Sequence, residues 1–81
     1  MEELRKITQE QLEEVLRKHK LWLENKEGGE RADLGYADLE GVNLKGVVLI
    51  SVDLIGANLE NANLENADLR YTCLENTNLE K

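Results

Sequence analysis

Leucine recurs at every fifth position from residue 34 to residue 79. The residue two positions before each leucine is small or β-branched, and the residue between them is mostly Asp or Asn. Neither a helix nor a flat strand has an apolar period of five. A short, fixed period is typical of a solenoid, in which each repeat packs on its neighbours. The leucines predicted to point inward are Leu34, Leu39, Leu44, Leu49, Leu54, Leu59, Leu64, Leu69, Leu74 and Leu79.

Each five-residue block predicts a short straight segment followed by a corner. The order small–polar–Leu alternates over three residues, as in a strand, and the next two residues, such as Glu40–Gly41 or Glu60–Asn61, are typical of turns. Gly and Asn tolerate the left-handed backbone that a tight corner needs. Four blocks would close a square coil of twenty residues, with the leucines and the small residues inside.

Several blocks also carry a family resemblance. Residues 32–36, 57–61, 62–66 and 67–71 resemble the A(D/N)LXX motif of pentapeptide-repeat proteins. The resemblance covers residues 32–81 as ten tandem blocks, within a predicted domain of residues 31–81, and implies a mainly β fold, a right-handed quadrilateral β-helix of about two and a half coils. At the usual strand spacing such a rod is about 12 Å tall. The departures from the motif are Val48 and Cys73 at the Asp/Asn position, and Val42, Val47, Val52, Thr72 and Thr77 at the small position.

Residues 1–30 predict a separate element, an amphipathic helix that caps the solenoid. Thr8 and Gln11 form a capping box, and Gly28–Gly29 supply the C-terminal stop, so the helix is expected from near Gln9 to near Asn25. For residues 1–6 the sequence predicts either a frayed extension of the helix or a disordered segment.

The apolar stripe of this helix is expected to cover the open layer of the first coil, because terminal repeats need a cap. Trp22 is expected to contribute most, about 3–5 kcal/mol if fully buried. His19 is expected at the boundary of this contact. The residues predicted to join the helix to the core are Leu12, Val15, Leu16, Trp22 and Leu23.

The amino-acid composition limits the classes of function expected for this chain. A net charge of -7 argues against direct binding to nucleic acid and favours a basic partner or simple solubility. No segment is apolar enough to span a membrane, and no signal-peptide pattern opens the chain. A single cysteine favours a reducing compartment, so the cytoplasm is the expected location. One His and one Cys offer no nucleophile–base pair and no metal or cofactor site, so an enzyme is not expected.

Three surface features are candidates for contact. Residues twenty apart would stack, which forms an acidic column of Asp38, Glu40, Glu60 and Glu80. An apolar patch of Val48, Ile50 and Ile55 is predicted around the corner between the fourth and first faces, unless Tyr71 folds over it. The open coil at the C-terminal end is predicted to support an end-to-end homodimer, and the alternative is that the sequence is a fragment.

Two functions remain open. The favoured one is a non-catalytic structural or interaction module that self-associates or binds an unidentified protein partner. The alternative is an acidic DNA mimic, because members of the resembling family include quinolone-resistance proteins that act on type II topoisomerases. Residues 31–81 hold nine acidic and four basic side chains, a charge density comparable to that of duplex DNA. The predicted rod is under four base pairs long, which is short for such a mimic.

Overall fold

The computed structural model describes residues 3–80. Its regular elements are strand β1 (Arg5–Lys6), helix α1 (Gln9–Leu23) and strand β2 (Ala37–Asp38). Isolated parallel bridges beyond these elements join residues twenty apart, so the chain forms a β-helical solenoid. The bridges link Asp33 to Asp53, Asp53 to Cys73, Asp38 to Asn58, Asn58 to Asn78, Asn43 to Asn63, and Val48 to Asp68.

Each corner of the coil is a tight turn whose last residue is left-handed. The amide of the residue after the corner donates to the carbonyl of the leucine before it, as from Ala37 to Leu34 at 3.1 Å. The fifth residue of each block has a positive φ, for example 61° at Asn61, as in a type II turn. Tyr36 and Tyr71 are also left-handed at φ values of 59° and 60°, at a steric cost of roughly 1–2 kcal/mol each.

Four turns bring the chain round to lie above itself, so the solenoid has four faces. We call the side of α1 the lower end and the side of residues 72–80 the upper end. The first face holds residues 32–34, 52–54 and 72–74, the second 37–39, 57–59 and 77–79, the third 42–44 and 62–64, and the fourth 47–49 and 67–69.

The core is a stack of leucines whose burial falls towards the upper end. The leucines of the first coil and the lower part of the second are at most 2% exposed. Leu64, Leu69 and Leu74 are half-buried, and Leu79 is 46% exposed. Leu79 lies beside Leu59 and Leu64 on the interior side, but it stays exposed because no rung above it in the described residues covers its side chain.

Helix α1 begins as the sequence predicts and ends earlier. The Thr8 hydroxyl and the Gln11 side chain form the capping box. Asn25 is left-handed, at φ 57°, and the Lys26 amide donates to Leu21 O at 2.9 Å, which is a Schellman ending. The prediction that Gly28–Gly29 stop the helix is wrong, because this motif ends it first.

The helix crosses the lower end diagonally. Near its start, Leu12 lies beside Leu39 and Val42 of the second and third faces. Further along, His19 contacts the backbone of Ala32 and Ile50, at the corner between the fourth and first faces.

The predicted cap contacts divide into two groups. Leu12 is 2% exposed, and Val15 and Leu16 pack against the same core cluster. Trp22 is 38% exposed, so the prediction that it contributes most to the cap is wrong. Leu23 is half-buried and lies outside the core cluster. The helix reaches the rim of the coil at His19, and the residues one turn later lie at or beyond that rim.

Strand β1 was not predicted. It pairs in parallel with β2 beneath the second face, with Arg5 opposite Ala37 and Lys6 opposite Asp38. The Arg5 amide also donates to Tyr36 O at 2.7 Å. The expectation of a frayed or disordered start is therefore wrong for these two residues, and its part at residues 1 and 2 lies outside the described residues.

Candidate interaction surfaces

Charge divides the solenoid into two halves. The acidic half comprises the first and second faces with the corners that follow them, and it contains no basic residue between 32 and 80. The neutral half comprises the third and fourth faces with their corners, where two acidic and two basic residues balance. The carboxylates of the acidic half are Asp33, Asp38, Glu40, Asp53, Glu60, Glu75 and Glu80.

The predicted acidic column lies on the acidic half. The bridges from Asp38 to Asn58 and from Asn58 to Asn78 place Glu40, Glu60 and Glu80 one above another. These three glutamates form no ion pair with any residue between 3 and 80. Like charges in this arrangement repel by a few tenths of a kcal/mol per pair.

The aspartates have a structural role that the glutamates lack. An Asp or Asn side chain at the middle position accepts the amide of the residue two positions later, as Asp38 does from Glu40 at 3.2 Å. Asp53 accepts from Ile55 in the same way at 3.0 Å. This local hydrogen bond fixes the entry to the corner. Asp38 is therefore held by the fold, whereas Glu40, Glu60 and Glu80 are available to a partner.

Ion pairs neutralise the charges of the neutral half. Lys45 Nζ lies 3.2 Å from Glu65 Oε1, and Arg70 Nη2 lies 2.7 Å from Asp68 Oδ2. Side-chain and backbone hydrogen bonds from Arg70 lower the pKa of the Asp68 carboxyl, and the same pair raises the pKa of Arg70. Both pairs are solvent-exposed, so they contribute little to stability but leave this surface without net charge.

The structure does not gather the predicted apolar patch into one surface. Val48 is 48% exposed and lines a groove against α1. Ile55 lines a separate hollow beside Arg5 and Tyr36. The reason is that Ile50 and Ile55 lie in successive corners, at opposite ends of the first face. Tyr71 is 83% exposed and so does not fold over the patch.

Two positions lack the side-chain hydrogen bond that the motif otherwise provides. Val48 and Cys73 occupy the Asp/Asn position, and within residues 3–80 no side chain accepts the amides of Ile50 and Glu75 two residues later. Val48 is thus an exposed apolar residue that gives up a local hydrogen bond.

Side chains cap much of the lower edge of the first coil, a role that the repeat pattern does not predict. Arg5 Nε and Nη2 donate to Gly35 O at 2.9 Å and to Asp33 O at 3.0 Å. Arg31 Nε donates to Ser51 O at 2.6 Å. This role could have been inferred only from the geometry of the coil, because the lower edge of any first coil presents backbone carbonyls that need hydrogen-bond donors.

His19 is the buried member of this capping set. It is 1% exposed, its Nδ1 accepts the Ala32 amide at 2.9 Å, and its Nε2 donates to Ile50 O at 2.7 Å. The ring also stacks on Trp22 with centroids 5.5 Å apart. Both nitrogens are occupied by backbone groups, so the imidazole is a structural connector.

The remaining candidate chemistry is sparse. Cys73 is a free thiol whose Sγ lies 4.0 Å from Arg31 Nη2. Within the described residues no three His, Cys, Asp or Glu side chains are grouped as metal ligands would be. Helix α1 falls short of the length and apolarity needed to cross a membrane, and residues 3–80 contain no other candidate.

The upper end exposes part of the interior. Leu59, Ala62, Leu64 and Leu79 line an open depression there. One coil below, the Leu44 amide donates upward to Asn63 O at 2.8 Å, and the equivalent amide of Leu64 has no acceptor within the described residues.

Comparisons with known proteins agree with this architecture. The sequence profile of pentapeptide repeats matches in eight copies, over residues 30–66 and 49–81. Among solved structures, the chain is similar to HetL, a pentapeptide repeat protein involved in the regulation of heterocyst differentiation in the cyanobacterium Nostoc. The two share 39% identity with a TM-score of 0.56 over 57% of this chain and 19% of HetL, so the chain spans about a fifth of that protein. No protein of curated function matches the chain.

Proposed function

This chain belongs to the pentapeptide-repeat family, and we propose that it is a non-catalytic protein-interaction module, a small capped β-helix that associates with itself or with a protein partner. Proteins of this family are in general structural or interaction modules. HetL is involved in regulation, and a regulatory role exerted through protein contacts fits the proposal. The proposed setting is the cytoplasm, because the cysteine is a free thiol.

The observation that carries the proposal is the uneven surface. All the unbalanced charge of residues 32–80 lies on the acidic half, which also exposes Tyr36 and Leu79, whereas the neutral half exposes Val48 and Tyr71 on a surface without net charge. Aromatic and apolar side chains on an uncharged surface are enriched in protein interfaces. Val48 in particular occupies a position where Asp or Asn would hydrogen-bond the corner, so its apolar side chain is better suited to a contact than to the fold.

Self-association is proposed through the upper end. The depression around Leu64 and Leu79 exposes interior side chains, and the amide of Leu64 has no acceptor in the described residues. A second copy placed against this end would cover the leucines and pair the strand edge. Such a contact is isologous, the commonest symmetry of homo-oligomers.

Solution mass by light scattering over a concentration series, with and without reductant, tests this arrangement. We expect a dimer that is insensitive to reductant, that Leu79→Lys converts to a monomer, and that Leu4→Lys leaves intact. Leu4 is the matched control, since it is 38% exposed at the opposite end. A monomer at every concentration, or a dimer equally sensitive to both substitutions, would rule out pairing at the upper end.

The acidic half supports a second candidate, an acidic mimic of DNA that acts on a DNA-binding protein such as a type II topoisomerase. The seven carboxylates of the acidic half span two rung spacings, about 10 Å, over which duplex DNA carries about six phosphates. A supercoiling assay is the test. Inhibition that weakens in Glu40→Gln/Glu60→Gln would support mimicry, and no inhibition at high micromolar protein would exclude it.

A further inference from the structure

The lower edge of the fourth face has backbone groups without partners. One coil above, the Asp68 amide donates downward to Val47 O at 3.0 Å, and Asp68 O accepts the Leu49 amide from below at 2.8 Å. The same two groups of Val48, twenty residues earlier, must also point downward. No hydrogen bond reaches either of them from any residue between 3 and 80.

An apolar groove runs beside this edge. It lies between the second half of α1 and the fourth face, with a volume of about 370 Å³. Leu16, Leu23 and Val47 form its apolar walls, and Lys20 and Glu24 stand at its rim with opposite charges. The groove therefore combines an unpaired strand edge, an apolar wall and a rim at which Glu24 already pairs with Lys26, Oε1 to Nζ 3.2 Å.

The same molecule shows how such an edge is filled. Because α1 crosses the lower end diagonally, it separates the first and second faces from the third and fourth. On the first side, β1 pairs with the lower edge of the second face and places Arg5 opposite Ala37. On the other side, no described residue occupies the equivalent place beneath Val48. The two sides have equivalent backbone edges, but only one has its strand.

We propose that the lower edge of the fourth face binds an extended segment of a partner protein, which adds as a strand beneath Val47–Leu49. The segment would exchange backbone hydrogen bonds with Val48 and direct alternate side chains into the groove, as in strand addition to an exposed sheet edge. This inference rests on the proposed function, since it names the surface with which the module holds its partner.

The groove also defines the chemistry of the segment. Side chains that point towards Leu16 and Leu23 should be aliphatic, because the walls offer no polar group except at the rim. The intervening side chains face water and should be small and polar. A segment with at most one charge, and that an acidic one, fits best, since Glu24 pairs with Lys26 and Lys20 is the rim charge without an ion pair among the described residues, while the fourth face carries only the internal Arg70–Asp68 pair.

A capped heptapeptide, Ser-Val-Thr-Leu-Ser-Val-Thr, is a suitable probe, with a permuted peptide that groups the three apolar residues as its control. We expect the alternating peptide to bind with a Kd of about 1 mM or tighter and to shift and protect the Val48 amide in NMR and hydrogen exchange. The permuted peptide should bind at least tenfold more weakly. Absence of binding, or binding that leaves the Val48 amide unchanged, would overturn the proposal.

Two substitutions test the site itself. Leu23→Glu places a charge in the groove at a half-buried residue outside the core and should weaken peptide binding at least tenfold, whereas Leu4→Glu should not. Val48→Pro removes the downward amide without touching the upper ladder and should have a similar effect while circular dichroism stays unchanged. Equal binding by wild type, Leu23→Glu and Val48→Pro would overturn the proposal.

Light scattering on the same protein tests the proposed function independently of the peptide experiment. A dimer or a partner complex that forms while the peptide fails to bind would refute strand addition at the fourth face and leave the module intact. Peptide binding by a strictly monomeric chain would support strand addition and refute pairing at the upper end.

Discussion

The lower and upper ends of the solenoid are built from the same five-residue block, but they differ in how well the leucine of that block is covered. Leu34, at the lower end, is fully buried beneath the second coil and above α1, whereas Leu79, at the upper end, is 46% exposed. The repeat determines which side chains point inward, but the neighbouring rungs determine how far they are buried. In a stack of this kind stability is close to a sum of neighbour contacts. The stability lost when a leucine is truncated should therefore depend more on the height of its repeat in the stack than on the sequence of that repeat.

Truncating leucines at different heights is the strongest test of this contrast. Leu54 is fully buried between Leu34 and Leu74, so Leu54→Ala should lower the free energy of unfolding by about 2–5 kcal/mol. Leu79→Ala should cost less than about 1 kcal/mol, as at an exposed site. Urea unfolding measures both, and equal losses would contradict the dependence on height.

The cap can be tested at its buried hydrogen bonds. His19→Leu leaves the Ala32 amide and Ile50 carbonyl at the lower end without their partner, and we expect a loss of about 2–4 kcal/mol. Trp22→Ala should cost about 1 kcal/mol, because Trp22 is partly exposed and mainly stacks on His19. A larger loss for Trp22→Ala than for His19→Leu would show that apolar burial, and not hydrogen bonding, holds the cap.

The two departures from the Asp/Asn pattern, Val48 and Cys73, form a matched pair, one in the first coil and one at the upper end. Val48→Asn and Cys73→Asn should each add the missing hydrogen bond to the amide two residues later and stabilise the chain by about 0.5–1 kcal/mol. The gain should be larger at Val48, because that corner is covered by a rung above it. Shifts in the urea midpoint give the gain, and slower exchange of the Ile50 and Glu75 amides would identify its source.

The smallest effect is expected at the exposed ion pairs. Arg70→Gln should raise the pKa of Asp68 part of the way towards its ordinary value, because the side-chain hydrogen bonds that lower it are lost while the backbone amide of residue 70 still donates. Since the folded pKa is lowered, the pair stabilises the fold above the unfolded pKa, and that contribution disappears as the pH falls through the folded pKa. Carboxyl NMR titration measures the shift.

Arg17→Gln is the control on helix α1. The Arg17 side chain lowers the pKa of Glu14 by a hydrogen bond of the same kind, so the substitution should raise that pKa without touching the solenoid. An unchanged titration of Asp68 in Arg70→Gln would contradict the assigned cause.

The sequence predicts the repeating part of this molecule well, because the information is local. The leucine period defines the interior, and Gly or Asn at the fifth position marks the corner. The capping box at Thr8 likewise marks the start of α1. Each of these features depends on residues within one or two blocks, so a single sequence is sufficient to infer it.

The lower end depends on contacts that are distant in sequence. Arg5 binds carbonyls about thirty residues away, and His19 joins Ala32 to Ile50. Such long-range hydrogen bonds leave no periodic pattern in the sequence. Trp22 misleads for a related reason, since its size suggests burial while the helix reaches the rim of the coil before it. The groove beside Val48 was likewise not predictable, because it depends on the angle at which α1 crosses the coil.

The type II corner has a consequence for how such a chain can change in length. An insertion of five residues adds one side and returns every later leucine to the interior, so the packing tolerates it. The same insertion rotates all later outward residues by a quarter turn, which would move Glu60 out of line with Glu40. Only an insertion of twenty preserves both. The interior is therefore preserved by any insertion of five residues, whereas the surface is preserved only by an insertion of twenty. An insertion will disrupt a binding surface more readily than it disrupts the core.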